Sequence, residues 1–94
     1  MKKLPDELRY NGYKYTLYKR GEKAYIYTQH VGPGIKRYEV FLIRIRPEEK
    51  IFGKLYPERE AFPANEDFGK TAWTYIKLEN ALKAFDEVEN SDLW

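Results

Sequence analysis

Few of the side chains that commonly carry catalysis occur in this sequence. His30 is the only histidine, Ser91 is the only serine, and there is no cysteine. A Ser–His–Asp or Cys–His arrangement cannot be assembled from so few groups, and a zinc site would need more nitrogen or sulfur ligands. The sequence therefore predicts a protein that is not an enzyme and that has neither a metal site nor a cofactor.

Two groups of carboxylates are compatible with a divalent cation or with acid–base chemistry. The first is the acidic cluster within residues 57–69, which has no calcium-loop glycine spacing and is interrupted by prolines. A solvated loop is the simpler interpretation. The second is Pro5-Asp6 with Glu48-Glu49-Lys50, which satisfies the loose pattern of metal-dependent nucleases. That pattern is permissive in a chain that is 34% charged, so neither group changes the prediction.

The two halves of the chain differ strongly in charge. Residues 1–46 carry eleven Lys and Arg against four Asp and Glu, whereas residues 47–94 carry six against eleven. The basic half also holds seven of the nine tyrosines. Cations that follow phosphates and aromatic rings that stack on bases are the means by which sheets bind single strands. The sequence predicts a single-strand nucleic-acid-binding module that uses Lys14, Tyr18, Lys19, Arg20, Arg37, Tyr38, Arg44 and Arg46.

The same composition has two other interpretations. Tyrosine and arginine also favour protein interfaces, so a protein partner or a homodimer on the same face is the alternative function, in the manner of a small host-modulating protein. The tyrosines can instead be structural. In that interpretation Tyr13, Tyr15, Tyr25 and Tyr27 fill the interface between the sheet and a helix.

Strands followed by one helix are predicted to position these side chains. Asn11-Gly12 is typical of a tight hairpin turn. Alternation of side-chain type predicts strands, at residues 13–19, 24–30, 36–46 and 70–76, with a short strand or an extended loop at 51–56. Both faces of 36–46 are mostly apolar, which predicts a central strand.

The helix is predicted at residues 78–89. Leu78, Ala81, Leu82, Phe85 and Val88 fall on one side of a helix with 3.6 residues per turn. The fold class is therefore α+β, an antiparallel sheet of four to five strands with one C-terminal helix on one face, in β-β-β-β-α order. Because one helix covers one face at most, the other face is expected to remain open for a partner.

The length of 94 residues predicts a single domain, residues 1–94. Its non-regular parts are expected to be an N-terminal arm at 1–9, a long loop at 57–69 and a tail at 91–94 that ends in Trp94. No apolar segment follows Lys2-Lys3, as a signal peptide would require, and no run approaches the ~20 apolar residues of a membrane span. With no cysteine present, the sequence predicts a cytoplasmic protein without membrane association.

Several short segments carry a resemblance. They are Tyr38-Glu39-Val40-Phe41, Phe52-Gly53-Lys54 with Pro57, Glu60-Ala61-Phe62-Pro63 and the run from Asn65 to Trp73. Over roughly residues 10–88 the chain resembles small proteins of gut Bacteroidetes and their phages, a group without an established function. The resemblance implies a bacterial or phage cytoplasmic setting. The element order is also similar to that of a class of single-strand-binding coactivators, although topology alone does not give function.

Overall fold

The computed structural model describes residues 2–91, so residues 92–94 of the predicted tail, Trp94 included, lie outside the described part of the chain. Within residues 2–91 the elements are nine strands, a 3₁₀ turn at Asn65–Asp67 and one α-helix. They are β1 (Glu7–Tyr10), β2 (Tyr13–Arg20), β3 (Ala24–Gly32), β4 (Ile35–Leu42), β5 (Arg44–Arg46), β6 (Glu49–Ile51), β7 (Lys54–Tyr56), β8 (Arg59–Ala61), β9 (Ala72–Tyr75) and α1 (Leu78–Glu89).

Five strands form one antiparallel sheet in the order β1-β2-β3-β4-β9. The single helix packs against this sheet, so the α+β prediction is confirmed, and the helix begins and ends where its apolar periodicity predicts. The Asn11-Gly12 hairpin is also confirmed, because Tyr10 pairs with Tyr13 across it. Both turn residues have positive φ, 53° and 84°, as a type I′ turn requires.

The helix covers the face of the sheet that carries small and branched side chains. Ala24, Ile26, Val40 and Leu42 are buried there against the apolar stripe of α1, formed by Ala81, Ala84, Phe85 and Val88. These sheet residues lie toward one end of β3 and β4. The helix therefore leaves the other end of the same face uncovered.

The opposite face is not open, which corrects the expectation from the sequence. Tyr15, Tyr25, Tyr27 and Phe41 are buried there under the segment that connects β7 to β9. Phe62 lies at the centre of several of these contacts, with its ring centroid 4.8 Å from that of Tyr15, 5.2 Å from that of Phe41 and 5.9 Å from that of Tyr27. The tyrosines thus fill an interface between sheet and connection, not one between sheet and helix.

Two predicted segments are divided in the structure. The strand predicted at 36–46 stops at Leu42, and β5 leaves the main sheet to pair with β8, so that Arg44 lies opposite Ala61. The loop predicted at 57–69 therefore contains a strand and the 3₁₀ turn. Residues 51–56 belong to a hairpin, β6–β7, whose turn places Phe52 and Gly53 at φ 49° and 79°. Short strands of three residues leave little periodicity to read.

Candidate functional site

A row of basic side chains crosses the uncovered end of the helix-side face. Arg9 pairs with Lys14, Lys14 pairs with His30, and His30 pairs with Lys36. Directly paired residues of antiparallel strands present their side chains on the same face. His30 is four residues from Ile26 on β3, and Lys36 is four residues from Val40 on β4. Because side chains an even number of residues apart on a strand share a face, the row lies on the helix side. Arg9, Lys14 and Lys36 are exposed and His30 is half-buried.

Two tyrosines lie beside this row. Tyr38 is half-buried, and its ring centroid lies 6.3 Å from that of Tyr18 in an edge-on arrangement. Tyr18 is 48% exposed, so its ring is available for stacking. The Nε2 atom of His30 lies 2.9 Å from the hydroxyl oxygen of Thr16, which fixes the imidazole within the row. We call this surface the basic platform; its members are Arg9, Lys14, Tyr18, His30, Lys36 and Tyr38.

Three of the eight residues that the sequence singled out lie on the basic platform: Lys14, Tyr18 and Tyr38. Lys14 forms an ion pair of 3.4 Å with Glu7, and both side chains are largely exposed. Pairs of this kind contribute little to stability, about 0–1 kcal/mol, so Lys14 can exchange its partner for a phosphate. Arg9, His30 and Lys36 were missed, although the register set by the Asn11-Gly12 turn already places Arg9 opposite Lys14.

A β-bulge at Tyr18 brings Lys19 onto the helix-side face, next to the helix and beyond the platform, and turns Arg20 to the opposite face. The register of β2 against β3 shifts between Leu17 and Lys19, and an extra residue reverses the side-chain alternation beyond it. Lys19 therefore lies over the helix, with its Nζ atom 4.8 Å from the centre of the Phe85 ring. Arg20 points to the opposite face of the sheet.

Arg20 belongs to a structural network around Glu60. Glu60 is 5% exposed, and its carboxylate accepts hydrogen bonds from the Tyr25 hydroxyl, the Arg20 guanidinium and the Leu4 amide. Burial alone would raise the pKa of Glu60, but these three donors together lower it below its usual value. Arg20 also donates from Nε to the Tyr25 hydroxyl at 2.9 Å. The network fastens the N-terminal arm and β8 to the sheet.

Arg44 and Arg46 lie on the separate β5–β8 pair. Arg44 donates to Asp67 at 3.2 Å, and Arg46 lies opposite Arg59. The structure therefore does not bring these two arginines together with the basic platform.

Arg37 lies at a cavity on the tyrosine-bearing face. The cavity has a volume of about 310 Å³ and lies between the sheet and the connection that carries Phe62. Glu39 lines it, is 4% exposed, and accepts a long hydrogen bond of 3.4 Å from the Tyr15 hydroxyl. Burial raises the pKa of Glu39 to about 7, and the bond from Tyr15 opposes that rise only in part. Burial also raises the pKa of Tyr15 to about 12, so this phenol remains a donor at neutral pH.

The β6–β7 hairpin carries three exposed apolar side chains. Phe52 at its turn is fully exposed, and Ile51 and Leu55 beside it are 42% and 59% exposed. The hairpin is held at its base by Arg59, which donates to Glu49 at 3.4 Å.

Comparison of the chain with protein-family models, with curated proteins and with solved structures finds no match. Across residues 2–91, no group of three or more His, Asp or Glu side chains is arranged to hold a metal ion. The helix in the described part of the chain is too short and too polar to cross a membrane.

Proposed function

We propose that the protein binds single-stranded nucleic acid through the basic platform. The observation that carries the proposal is the cross-strand row Arg9, Lys14, His30 and Lys36 beside the Tyr18–Tyr38 pair. The row crosses three inter-strand gaps, about 14 Å at ~4.8 Å per gap. It offers several phosphates a cation at once.

The chemistry of the basic platform favours affinity without strong sequence preference. Lysine and arginine neutralise phosphates and release counterions, which makes binding depend steeply on salt. Tyr18 and Tyr38 offer ring faces and edges to unstacked bases, and each stacked base contributes ~1–3 kcal/mol. A duplex buries its base faces, so it can use the cations but not the rings.

Charge reversal on the platform tests the proposal. Lys14→Glu with Lys36→Glu should weaken binding of a labelled single-stranded oligonucleotide by at least about tenfold. It should also reduce the slope of log affinity against log salt by about 2, because two phosphate contacts are lost. Fluorescence anisotropy at two salt concentrations measures both quantities, with a duplex of the same sequence for comparison.

A matched control carries the same change in net charge on another surface. Lys50→Glu with Lys54→Glu lies on the β6–β7 hairpin, where both lysines are exposed, and should leave affinity within about twofold. Arg44→Glu with Arg46→Glu changes two arginines that the sequence predicted as binding residues but that lie outside the platform. This variant should also have little effect on affinity. Equal losses in all three variants, or no binding by the unaltered protein at low salt, would remove this function.

A second candidate function, association with another copy of the chain, is favoured by the β6–β7 hairpin. The Phe52 ring at its turn is fully exposed to water. Ile51 and Leu55 are also exposed, on opposite faces of the hairpin, because Ile51 pairs with Lys54 and Leu55 pairs with Lys50. A fully exposed aromatic ring offers a large apolar area to a partner. Sedimentation velocity over a range of concentrations should show a dimer that Phe52→Ser abolishes and Ile35→Ser, at another exposed site, does not. A monomer at every concentration would exclude this candidate.

A further inference from the structure

The cavity on the tyrosine-bearing face is separate from the basic platform. Its inner wall is aromatic, because the Phe62 ring centroid lies 5.2 Å from that of Tyr10 and 4.8 Å from that of Tyr15. Polar groups line the remainder, among them the exposed side chains of Asn11, Arg37, Asn65 and Thr74. A volume of about 310 Å³ is at the lower end of the range for small-molecule sites.

The carboxyl group of Glu39 in this cavity is incompletely partnered. Its Oε1 atom accepts the long bond from Tyr15, while its Oε2 atom is buried and has no hydrogen-bond partner among residues 2–91. The ion pairs in that range involve four other acids, Glu7, Glu49, Glu60 and Asp67. A buried carboxylate without a cation is costly, and proteins ordinarily pair it.

The neighbours of Glu39 on β4 show that the position does not need a charged residue for packing. Phe41 lies on the same side of β4, Ile43 follows directly beyond the end of that strand, and both are buried as apolar groups. An apolar side chain at position 39 would avoid the desolvation of a carboxylate. A buried acid that costs stability and lines a cavity is typical of a binding site.

We propose that the cavity binds a small organic cation, an amine or amidine on an aromatic or apolar body. The cationic group lies beside Glu39 and supplies the missing partner to its carboxylate. The body lies among Tyr10, Tyr13 and Phe62, whose ring faces attract cations and cover apolar surface. This inference does not depend on nucleic-acid binding, because it uses the opposite face of the sheet.

The proposed pairing makes affinity depend on pH in one direction. The charged side chains that line the cavity are Glu39 and Arg37, and its other titratable groups are Tyr10, Tyr13 and Tyr15; β9 and the connection contribute only the neutral Thr74, Phe62, Asn65 and Phe68. The cation requires ionised Glu39, whose pKa is about 7. Affinity should therefore fall about tenfold for each pH unit below that value and level off above it.

The test is isothermal titration calorimetry with three cations, benzamidine, benzylamine and tetramethylammonium, at pH 5.5 and pH 8. Benzamide, benzyl alcohol and benzoate serve as neutral and anionic probes of similar shape. At least one cation should bind saturably at pH 8 and at least tenfold more weakly at pH 5.5. Glu39→Gln should weaken that binding at least tenfold at pH 8 and abolish its pH dependence, whereas Glu48→Gln, an exposed acid outside the cavity, should not.

Tyr13→Ala provides a second variant that spares the core, because Tyr13 is 40% exposed at the rim. It should weaken the bound cation several-fold without changing the pH dependence. Absence of binding by all three cations at pH 8 would overturn the proposal. So would neutral or anionic probes that bind as tightly as the cations, or cation binding that Glu39→Gln leaves unchanged.

Discussion

Glu60 and Glu39 are two buried carboxylates on the same side of the sheet, and their surroundings are opposite. Glu60 accepts hydrogen bonds from a hydroxyl, a guanidinium and a backbone amide, and its pKa lies below the usual value. Glu39 receives one long bond from Tyr15 and keeps one oxygen without a partner, and its pKa rises to about 7. Two carboxyl groups with almost the same small exposed fraction thus have pKa shifts in opposite directions.

This difference separates a carboxylate that holds the fold together from one that is available to a ligand. Glu60 joins β8 to residues at least 35 positions away in sequence: Leu4 in the arm, Arg20 in β2 and Tyr25 in β3. The carboxylate of Glu60 makes its hydrogen bonds within the protein, so it is not available to a ligand. The desolvation of Glu39 is only partly compensated by the bond from Tyr15, and a bound cation would supply the remainder.

The largest effect is expected from removing Glu60. Glu60→Ala leaves the Tyr25 hydroxyl and the Arg20 guanidinium without their shared acceptor, and loss of one member of a buried charged network costs about 3–5 kcal/mol. Urea denaturation at pH 7 measures the free energy of unfolding. Because the folded-state pKa of Glu60 is depressed, its contribution is present above the ordinary value of 4.5 and is lost as pH falls through the folded value.

Glu58→Ala is the matched control for this prediction, since Glu58 precedes the same strand and is exposed. It should change the free energy of unfolding by no more than about 0.5 kcal/mol. If Glu60→Ala were equally mild, the network would not be what fastens the connection to the sheet.

Neutralising Glu39 should change the free energy of unfolding by a smaller amount and in the opposite direction, toward higher stability. The folded-state pKa is raised from 4.5 to about 7, so the folded protein binds a proton in that window that the unfolded chain does not. Stability should then fall as pH rises from 4.5 to 7 and level off above. Glu39→Gln removes this loss, and at pH 8 it should be more stable than the unaltered protein by about 3 kcal/mol, at ~1.4 kcal/mol per pKa unit.

Urea denaturation at pH 5 and pH 8 checks the Glu39 prediction, with Glu79→Gln on the exposed side of α1 as control. Near pH 5 the unaltered protein and Glu39→Gln should differ little. A variant that is destabilised at both pH values would mean that Glu39 makes stabilising contacts as a carboxylate, like Glu60.

The parts of the fold that carry strong local signals were predictable. The helix at Leu78–Glu89 and the Asn11-Gly12 hairpin follow from apolar periodicity and from turn chemistry. The break after Leu42 was not, because β5 continues the same alternation while pairing with β8 instead of the main sheet. The cover provided by Phe62 depends on tertiary packing across the sheet, which no local pattern reports.

The candidate sites were predictable only in part. Lys14, Tyr18 and Tyr38 were found from composition, but the bulge at Tyr18 reverses the alternation. Lys19 consequently packs on the helix, and Arg20 faces the opposite side of the sheet. In the sequence, Glu39 is one polar residue within a mostly apolar strand. Its importance comes from the aromatic cover and from the missing partner of its Oε2 atom, and both are properties of the folded chain.

The contrast between the two carboxylates is tested most directly by carbon-detected NMR of the glutamate side chains through a pH titration from 3 to 9. We expect Glu39 to titrate with a midpoint near 7 and Glu60 to titrate below the ordinary value of 4.5. Addition of a bound cation should move the Glu39 midpoint down and leave that of Glu60 unchanged. Two midpoints near the ordinary value, or a Glu39 midpoint below that of Glu60, would contradict this expectation.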